Sequence, residues 1–237
     1  MSVATRLAAV RERIEAACLR AGRDPGSVRL LPVSKTQSTK SIMDGYDAGI
    51  GMFGENKVQE LVEKAEELEG VADLRWALIG HLQSNKAKQA AAVAAEFHAL
   101  DSIKVASALN RRLHDLGRSL DVFIQVNSSA EPQKFGLEPK AVEQFAGDLQ
   151  PLAALRVRGL MTLAVLSDEE RAVRACFERM RALQQQLLDA GVPGSFDELS
   201  MGMSGDFELA IEYGATTLRI GQAIFGERSQ TPPTTSA

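Results

Sequence analysis

Short apolar runs alternate with helical stretches along almost the whole chain, and this alternation limits the folds that the sequence can adopt. Continuous apolar runs, unlike alternating ones, are typical of parallel strands that are covered on both faces. Eight such runs in about 200 residues fit a (β/α)8 barrel with short connections. The runs lie at 28–33, 52–56, 76–81, 97–101, 122–126, 157–163 and 217–220, with one more ending at Ser200.

An open, doubly wound sheet is the alternative architecture, but the switch point and glycine-rich first turn that are typical of it are not visible. We therefore predict an α/β protein built as a single (β/α)8 TIM-type barrel over residues 1–228. Apolar residues recur at helical spacing over 3–21 and predict an extra N-terminal helix. Residues 229–237 are rich in serine, threonine and proline and are predicted to be a disordered tail.

The net charge of −4 argues against a nucleic-acid partner, because no overall basic field is available to hold phosphates. No apolar run is long enough to span a membrane, so no membrane partner is expected. Cys18 and Cys176 form no CxxC or Cys/His cluster, and the three histidines lack metal-ligand spacing. We expect packed, reduced thiols in a cytoplasmic protein without a metal site.

Polar residues follow most of the predicted strands at their carboxyl ends. In a barrel these ends meet on one face, where barrel active sites lie. Turn formation and helix capping explain Asp101 and Asn127 as well as a functional role does. Lys35 and Arg219 are harder to explain in that way, because long cationic side chains do not cap helix N-termini. The full set is Lys35, Asn56, His81, Asp101, Asn127, Ser200 and Arg219.

Lys35 directly follows the first predicted strand. A partly desolvated lysine at a barrel mouth loses some of its preference for the charged form. A neutral amine can then form a Schiff base with an aldehyde. An ion pair with Glu55 or Asp101 is the alternative, and Lys35 alone does not decide between the two.

Two loops rich in glycine and serine follow strands seven and eight, at 200–206 and 221–223. Their backbone N–H groups can approach an anion, and barrels frequently bind phosphate at this pair of positions. The alternative for these loops is that they are tight turns without a ligand. The alternative for Arg219 is an ordinary ion pair with an aspartate or glutamate. Arg219 can donate to a ring nitrogen, and Lys35 can react with an aldehyde. Together with a phosphate site, these two residues indicate pyridoxal 5′-phosphate (PLP). Met203-Ser204-Gly205 lacks the second glycine of the GxSxG elbow, which argues against a serine hydrolase.

Six motifs resemble the YggS/PROSC family of pyridoxal phosphate homeostasis proteins, in order, over about residues 5–228. The third and fifth of them are highly specific. The motifs are Val33-Ser34-Lys35-Thr36, Phe53-Gly54-Glu55-Asn56, Ile79-Gly80-His81-Leu82-Gln83-Ser84-Asn85-Lys86, Leu160-Met161-Thr162, Leu199-Ser200-Met201-Gly202-Met203-Ser204 and Arg219-Ile220-Gly221.

The resemblance implies a barrel like the N-terminal domain of alanine racemase, with PLP bound as a Schiff base on Lys35. It also implies that Arg219 faces the pyridine nitrogen and that Asn56 lies near the ring. Family members usually carry threonine at position 222, so Gln222 keeps the backbone N–H but loses a hydroxyl contact to phosphate. The expected cofactor-binding residues are Lys35, Asn56, Ser200, Met201, Ser204, Arg219, Gly221 and Gln222, with His81 and Met161 as further candidates.

Two function classes fit such a site: a PLP-dependent amino-acid racemase, and a protein that carries PLP or regulates its level. A two-base racemase needs a second acid or base, which alanine racemases take from a tyrosine of a separate β-domain. We expect no such domain here, and Tyr46 and Tyr213 fall on helices that precede strands. His81 is a weak substitute, because a lone histidine is more often structural. The prediction is a non-catalytic PLP-binding protein of vitamin B6 homeostasis.

The expected partners are PLP and PLP-dependent apoenzymes, and the chain is expected to be monomeric because the racemase dimer depends on the absent domain. A protein-interaction module is a third class, based on the charged helix at 57–69. Lys134, in the loop after strand five, either receives the cofactor in transit or is an exposed loop lysine. The charged residues Glu60, Glu63, Lys64, Glu66 and Glu67 are predicted to form a solvated face.

Overall fold

The structure, a computed structural model, describes residues 1–131 and 133–226. Its strands are β1 (Arg29–Pro32), β2 (Met52–Glu55), β3 (Arg75–Leu78), β4 (Glu96–Leu100), β5 (Leu120–Gln125), β6 (Leu155–Met161), β7 (Glu198–Ser200) and β8 (Thr217–Ile220). All pair in parallel, in the order β1-β8-β7-β6-β5-β4-β3-β2. The predicted barrel and each predicted strand are confirmed.

Helices separate the strands and cover the outside of the barrel. They are α1 (Val3–Arg20), α2 (Thr39–Asp47), α3 (Val58–Glu67), α4 (Ala87–Val93), α5 (Ile103–Asp115), α6 (Val142–Leu149), α7 (Glu170–Asp189), α8 (Phe207–Glu212) and α9 (Gln222–Phe225). The extra N-terminal helix is confirmed as α1. The short helix α9 was not predicted, because the sequence after β8 indicated only a loop.

Helix α1 fixes the end of the chain that carries β8 and α9. Ser2 caps its first turn, and Leu7 and Ile14 lie on the buried stripe of the helix. Each such side chain stabilises the fold by about 1.5–3 kcal/mol when fully buried. Arg6 Nε donates to the carbonyl oxygen of Ile224 at 2.5 Å. The last helix is therefore held against the barrel from outside.

The two halves of the barrel interior differ in polarity. On the β1–β3 side an apolar group forms a small core of its own: Leu31, Met52 and Ala77, with Ile79 and Ala95 packed against it. On β4, β7 and β8 several buried side chains are polar instead: Glu96, His98, Ser200, Thr217 and Arg219. The larger hydrophobic core lies between the strands and the surrounding helices.

Strands β1 and β2 are the two edges of the sheet. Within the described residues they are joined by a bridge between Val33 and Gly54, and Ser34 N–H donates to the Gly54 carbonyl oxygen at 3.0 Å. This contact brings the ends of the sheet together, so that the barrel is nearly closed. It lies directly before Lys35 in the chain.

Cys18 and Cys176 are buried and not in a disulfide, in agreement with their predicted role as packed thiols. None of the helices within 1–131 and 133–226 combines the length and the apolar character needed to cross a membrane. The predicted tail at 229–237, and the predicted end of the barrel at 228, lie outside the described residues.

Candidate functional site

The turn after β1 holds Lys35 at the mouth of the barrel. Lys35 is half-buried, and Gln37 N–H donates to the carbonyl oxygen of Ser34 across the turn at 2.9 Å. Thr36 adopts a φ of 63°, an outlier for a β-branched residue that persists only where the surroundings hold it. Its N–H donates to Glu60 Oε1 at 2.5 Å. The backbone beside Lys35 is therefore strained and anchored, as ligand-binding turns often are.

A buried group of charges lies behind this turn, and we call it the Glu55 network (Ser34, Glu55, Glu60 and Lys64). Lys64 Nζ donates to Glu55 Oε1, Glu60 Oε1 and the carbonyl oxygen of Ser34, each at 2.7 Å. Ser34 Oγ donates to the same Glu55 Oε1 at 2.6 Å. Glu55 Oε2 is buried and has no hydrogen-bond partner among the described residues. Burial raises the pKa of Glu55, against the lowering effect of the bonds from Lys64 and Ser34.

Arg219 lies inside the barrel on β8, the strand that pairs with β1. The residue is only 3% exposed. Its Nη1 donates to Ser200 Oγ and its Nη2 to the carbonyl oxygen of Thr162, both at 2.7 Å. Burial lowers the pKa of Arg219 to about 10, so the guanidinium stays protonated at neutral pH. Two acceptors at fixed positions orient its plane.

Ser200 connects Arg219 to a second group of charges, the Glu96 network (Arg29, Glu96, His98, Ser200 and Arg219), of which all but Arg29 are buried. His98 Nδ1 lies 2.9 Å from Ser200 Oγ, and His98 Nε2 lies 2.8 Å from Glu96 Oε2. Arg29 binds both Glu96 oxygens, at 2.5 and 3.0 Å. Burial alone would raise the pKa of Glu96, but the bonds from His98 and Arg29 outweigh it and lower that pKa to about 2.

The loops after β7 and β8 meet beside the turn that carries Lys35. Ser204 Oγ accepts a bond from Ala223 N–H at 3.3 Å, which joins the two loops. A Cβ at Gly221 would lie 3.0 Å from the carbonyl oxygen of Val33, so that backbone runs close against the end of β1. Gln222 is exposed at the start of α9. These loops form the anion-binding candidate that the sequence predicted.

The ends of β2 and β3 also meet at the mouth. A Cβ at Gly80 would lie 2.1 Å from the carbonyl oxygen of Asn56, so this close approach requires glycine. His81 is exposed and stacks on Phe135, with ring centroids 4.4 Å apart. Its Nδ1 lies 4.0 Å from Asp101 Oδ1. His81 therefore stands at the rim of the barrel.

The loop after β5 crosses the mouth towards the ends of β4 and β6. Gly136 N–H donates to Asp101 Oδ2 at 3.1 Å. Lys134 Nζ donates to the carbonyl oxygen of Ala164 at 3.2 Å and pairs with Glu131 at 2.5 Å. The side chain of Lys134 is 31% exposed, so it is neither buried in the barrel nor fully solvated.

Several predicted residues come together, and some differ from expectation. Ser200 and Arg219 are in direct contact, but the Ser200 hydroxyl lies inside the barrel, between Arg219 and His98. Met161 is fully buried at the end of β6, and Met201 is fully buried after β7. The prediction of a solvated face on α3 is wrong for Lys64, which is buried because it bonds to three oxygen atoms behind the Lys35 turn.

Sequence reasoning missed Glu96, His98 and the role of Glu55. The one available signal on β4 was the spacing of Glu96 and His98, because side chains two positions apart on a strand project to the same face. The described part of the chain has no group of three or more histidine, cysteine or acidic side chains arranged to hold a metal ion.

Known proteins are similar to this chain over almost its whole length. The sequence profile described as "Alanine racemase, N-terminal domain" matches residues 5–229. A pyridoxal phosphate homeostasis protein of Aquifex aeolicus (strain VF5) is 39% identical over 231 residues, which cover 96% of this chain and 99% of the relative.

Solved structures extend the likeness to the fold. PipY of Synechococcus elongatus PCC7942, with PLP bound, superposes with a TM-score of 0.83 at 35% identity, over 95% of this chain and 100% of PipY. An alanine racemase of Clostridium difficile 630 has a TM-score of 0.74 at 15% identity, over 95% of this chain and 56% of the racemase. At that identity the second likeness concerns the fold alone.

Proposed function

This chain belongs to the pyridoxal phosphate homeostasis proteins, within the alanine racemase N-terminal domain family, and we propose that it binds PLP and serves in vitamin B6 homeostasis. The observation that carries the proposal is the buried Arg219 at the mouth of the barrel, on the strand beside the Lys35 turn. A relative named for PLP homeostasis and a similar structure with PLP bound support it.

The residues present fit the cofactor. Lys35 supplies an amine for the aldehyde and is proposed to hold it as a Schiff base. Arg219 supplies a protonated donor for the pyridine nitrogen, and Asn56, which directly follows β2 at the same mouth, is proposed to line the ring. Bound PLP supplies an electron sink, and an arginine donor weakens it by keeping the ring nitrogen unprotonated.

The phosphate is proposed to lie at the two joined loops. The Ser204 hydroxyl and the N–H groups of Gly221 and Gln222 are the proposed donors, and Met201, which is buried after β7, is proposed to line the site. The Ser200 hydroxyl already bonds to Arg219 and His98, so we assign it to the ring end of the site. Gln222, which replaces the usual threonine, contributes its backbone N–H.

We propose further that the protein carries or regulates PLP and does not turn over amino acids. Tyr46 donates to the carbonyl oxygen of Ala72, before β3, and Tyr213 ends α8, before β8. Both tyrosines therefore lie towards the amino ends of the strands, away from Lys35. A racemase would need His81 as its second base, and His81 is stacked on Phe135 at the rim.

A borohydride experiment tests the cofactor proposal. The purified protein with PLP should show the absorbance of a bound Schiff base, and reduction should fix the cofactor on the peptide that contains Lys35. The variant Lys35→Ala should lose both signals, whereas Lys40→Ala, at an exposed position of α2, should keep them. A Lys35→Ala protein that still fixes PLP would refute the role of Lys35.

Hydrogen exchange at Cα tests the carrier proposal. Holo protein in deuterated water with D- or L-amino acids should show negligible exchange. Turnover of about 1 s⁻¹ or faster, the range of ordinary enzymes, would favour the racemase instead.

Delivery of PLP to apoenzymes, by a monomer in the cytoplasm, completes the proposal. The two buried thiols fit a reducing compartment. Transfer of PLP to an apoenzyme should be measured with wild type and with Lys134→Ala. An unchanged transfer rate would remove Lys134 as a transit residue.

A further inference from the structure

The Glu96 network runs through the barrel interior from the amino ends of the strands to the mouth. Arg29 and Glu96 begin β1 and β4, whereas Ser200 and Arg219 lie at or near the carboxyl ends of β7 and β8. His98 connects the two groups and is 0% exposed, as is Ser200. A continuous path of hydrogen bonds thus joins Glu96 to the arginine proposed to face the cofactor ring.

Donor chemistry gives this path one direction. A guanidinium only donates, so Ser200 Oγ accepts from Arg219 at 2.7 Å. An ionised Glu96 only accepts, so His98 donates from Nε2 to Glu96 Oε2 at 2.8 Å. In a neutral imidazole Nδ1 then carries no proton and accepts from the Ser200 hydroxyl at 2.9 Å.

The charges around His98 agree with this neutral form. Burial lowers the pKa of His98, while the bond to Glu96 opposes that shift. The cations Arg219 and Arg29 also disfavour an imidazolium. Glu96 stays ionised and accepts from both His98 and Arg29. Phe123, whose ring centroid lies 4.1 Å from that of His98, fixes the plane of the imidazole.

We infer that His98 is a positioning residue for the bound pyridine ring, because it holds Ser200 as the fixed acceptor that orients Arg219. Ionised Glu96 polarises the path and strengthens the bond from Arg219 to Ser200. Thr162 supplies the second acceptor through its carbonyl oxygen. The inference rests on the proposed function, since it concerns the nitrogen of bound PLP.

Two ligands separate this role from a merely structural one. One is PLP, and the other is its 1-deaza analogue, in which C–H replaces the ring nitrogen. His98→Phe keeps an aromatic ring against Phe123 but removes both hydrogen bonds. It should raise the Kd of PLP by about 10-fold, the order expected for a weakened bond to a charged donor. The Kd of the analogue should change much less.

Further variants guard against misfolding. His98→Gln, whose amide can accept from Ser200 and donate to Glu96, should restore most of the PLP affinity. Ser200→Ala removes the hydroxyl that accepts from Arg219. It should likewise raise the Kd of PLP more than the Kd of the analogue. Thermal unfolding of each variant verifies that it is folded, and the absorbance maximum of bound PLP reports the state of the ring nitrogen.

The outcomes distinguish the two proposals. Equal losses of affinity for both ligands in His98→Phe and Ser200→Ala would overturn the positioning role, as would no loss for either ligand. In both cases the wild type would still bind PLP, and the proposed function would stand. A wild type that binds neither ligand would refute the proposed function itself, and the inference with it.

Discussion

Glu55 and Glu96 are both buried glutamates at the barrel, yet their ionisation is shifted in opposite directions. Both oxygens of Glu96 are paired, one with Arg29 and the other with Arg29 and His98, and the pKa of Glu96 falls to about 2. In Glu55 one oxygen accepts from Lys64 and Ser34 while the other has no partner among the described residues, and burial raises the pKa.

Burial raises the pKa of both carboxyl groups, so the number and placement of their partners decide which of the two stays charged. The side of the barrel that holds Arg219 contains a fully paired glutamate whose pKa is about 2. The side behind Lys35 contains a glutamate that is more easily neutralised, with a lysine shared among three acceptors. The first is suited to hold a donor in one orientation, and the second can adjust to charge changes near Lys35.

The largest effect is expected for Glu96→Gln. The pKa of Glu96 is depressed to about 2, so its charge stabilises the folded state through the bonds from the fully buried His98 and from Arg29, whose side chain is 38% exposed. We therefore expect the free energy of unfolding at neutral pH to fall by about 3 kcal/mol. Urea denaturation measures it. Glu198→Gln is the matched control, because Glu198 lies 3.8 Å from Arg29 but its side chain is 26% exposed. An equal loss in both variants would contradict the special role of Glu96.

Lys64→Met should have the next largest effect. It removes the cation from the Glu55 network, and we expect a loss of about 2 kcal/mol at neutral pH. The loss should shrink in acid, because Glu55 can take up a proton. Adding Glu55→Gln to Lys64→Met should recover part of the stability in a double-mutant cycle. Strictly additive losses would show that the two residues are not coupled.

The two glutamates should give opposite pH dependences. The folded pKa of Glu96 is depressed, so its contribution is present above the ordinary value of 4.5 and is lost as the pH falls towards 2. The folded pKa of Glu55 is raised, so its contribution is present below 4.5 and is lost as the pH rises through the folded value. Denaturation of wild type, Glu96→Gln and Glu55→Gln against pH should show these slopes, and slopes of equal sign would contradict the comparison.

Glu55→Gln should have the smallest effect at neutral pH. The amide avoids the cost of a buried carboxylate but loses part of the attraction to Lys64, so the net change should stay within about 1 kcal/mol. Urea denaturation beside Glu96→Gln provides the direct comparison. A loss as large as that of Glu96→Gln would mean that Glu55 is as fully paired as Glu96.

The barrel could be predicted because its signal is local: each strand is a continuous apolar run, and each is followed by a helix. Lys35 and Arg219 could be proposed as site residues because they are cations at the ends of such runs. Glu96 and His98 could not be identified, because their partners are distant in the chain. Arg29 lies 67 residues from Glu96, and Ser200 lies 102 residues from His98.

Lys64 shows a different limit of sequence reasoning. It lies among acidic residues on α3, a pattern typical of a solvated helix face. Its burial depends on how α3 packs over the turn that contains Ser34. The periodicity of a helix gives no information about such a contact with a distant part of the chain. The pairing of β4 with β5 likewise shifts its register between Phe97 and Leu100, and this shift cannot be read from the sequence.

The contact between β1 and β2, which closes the barrel through Val33, Ser34 and Gly54, has a consequence for how the molecule opens. An amide exchanges its hydrogen with solvent when its bond breaks, and regions with few bonds exchange first. The amide of Ser34 should therefore exchange earlier than those along the β5–β6 ladder, which pairs from Leu120 to Gln125. The barrel is therefore expected to open first between β1 and β2, directly beside Lys35.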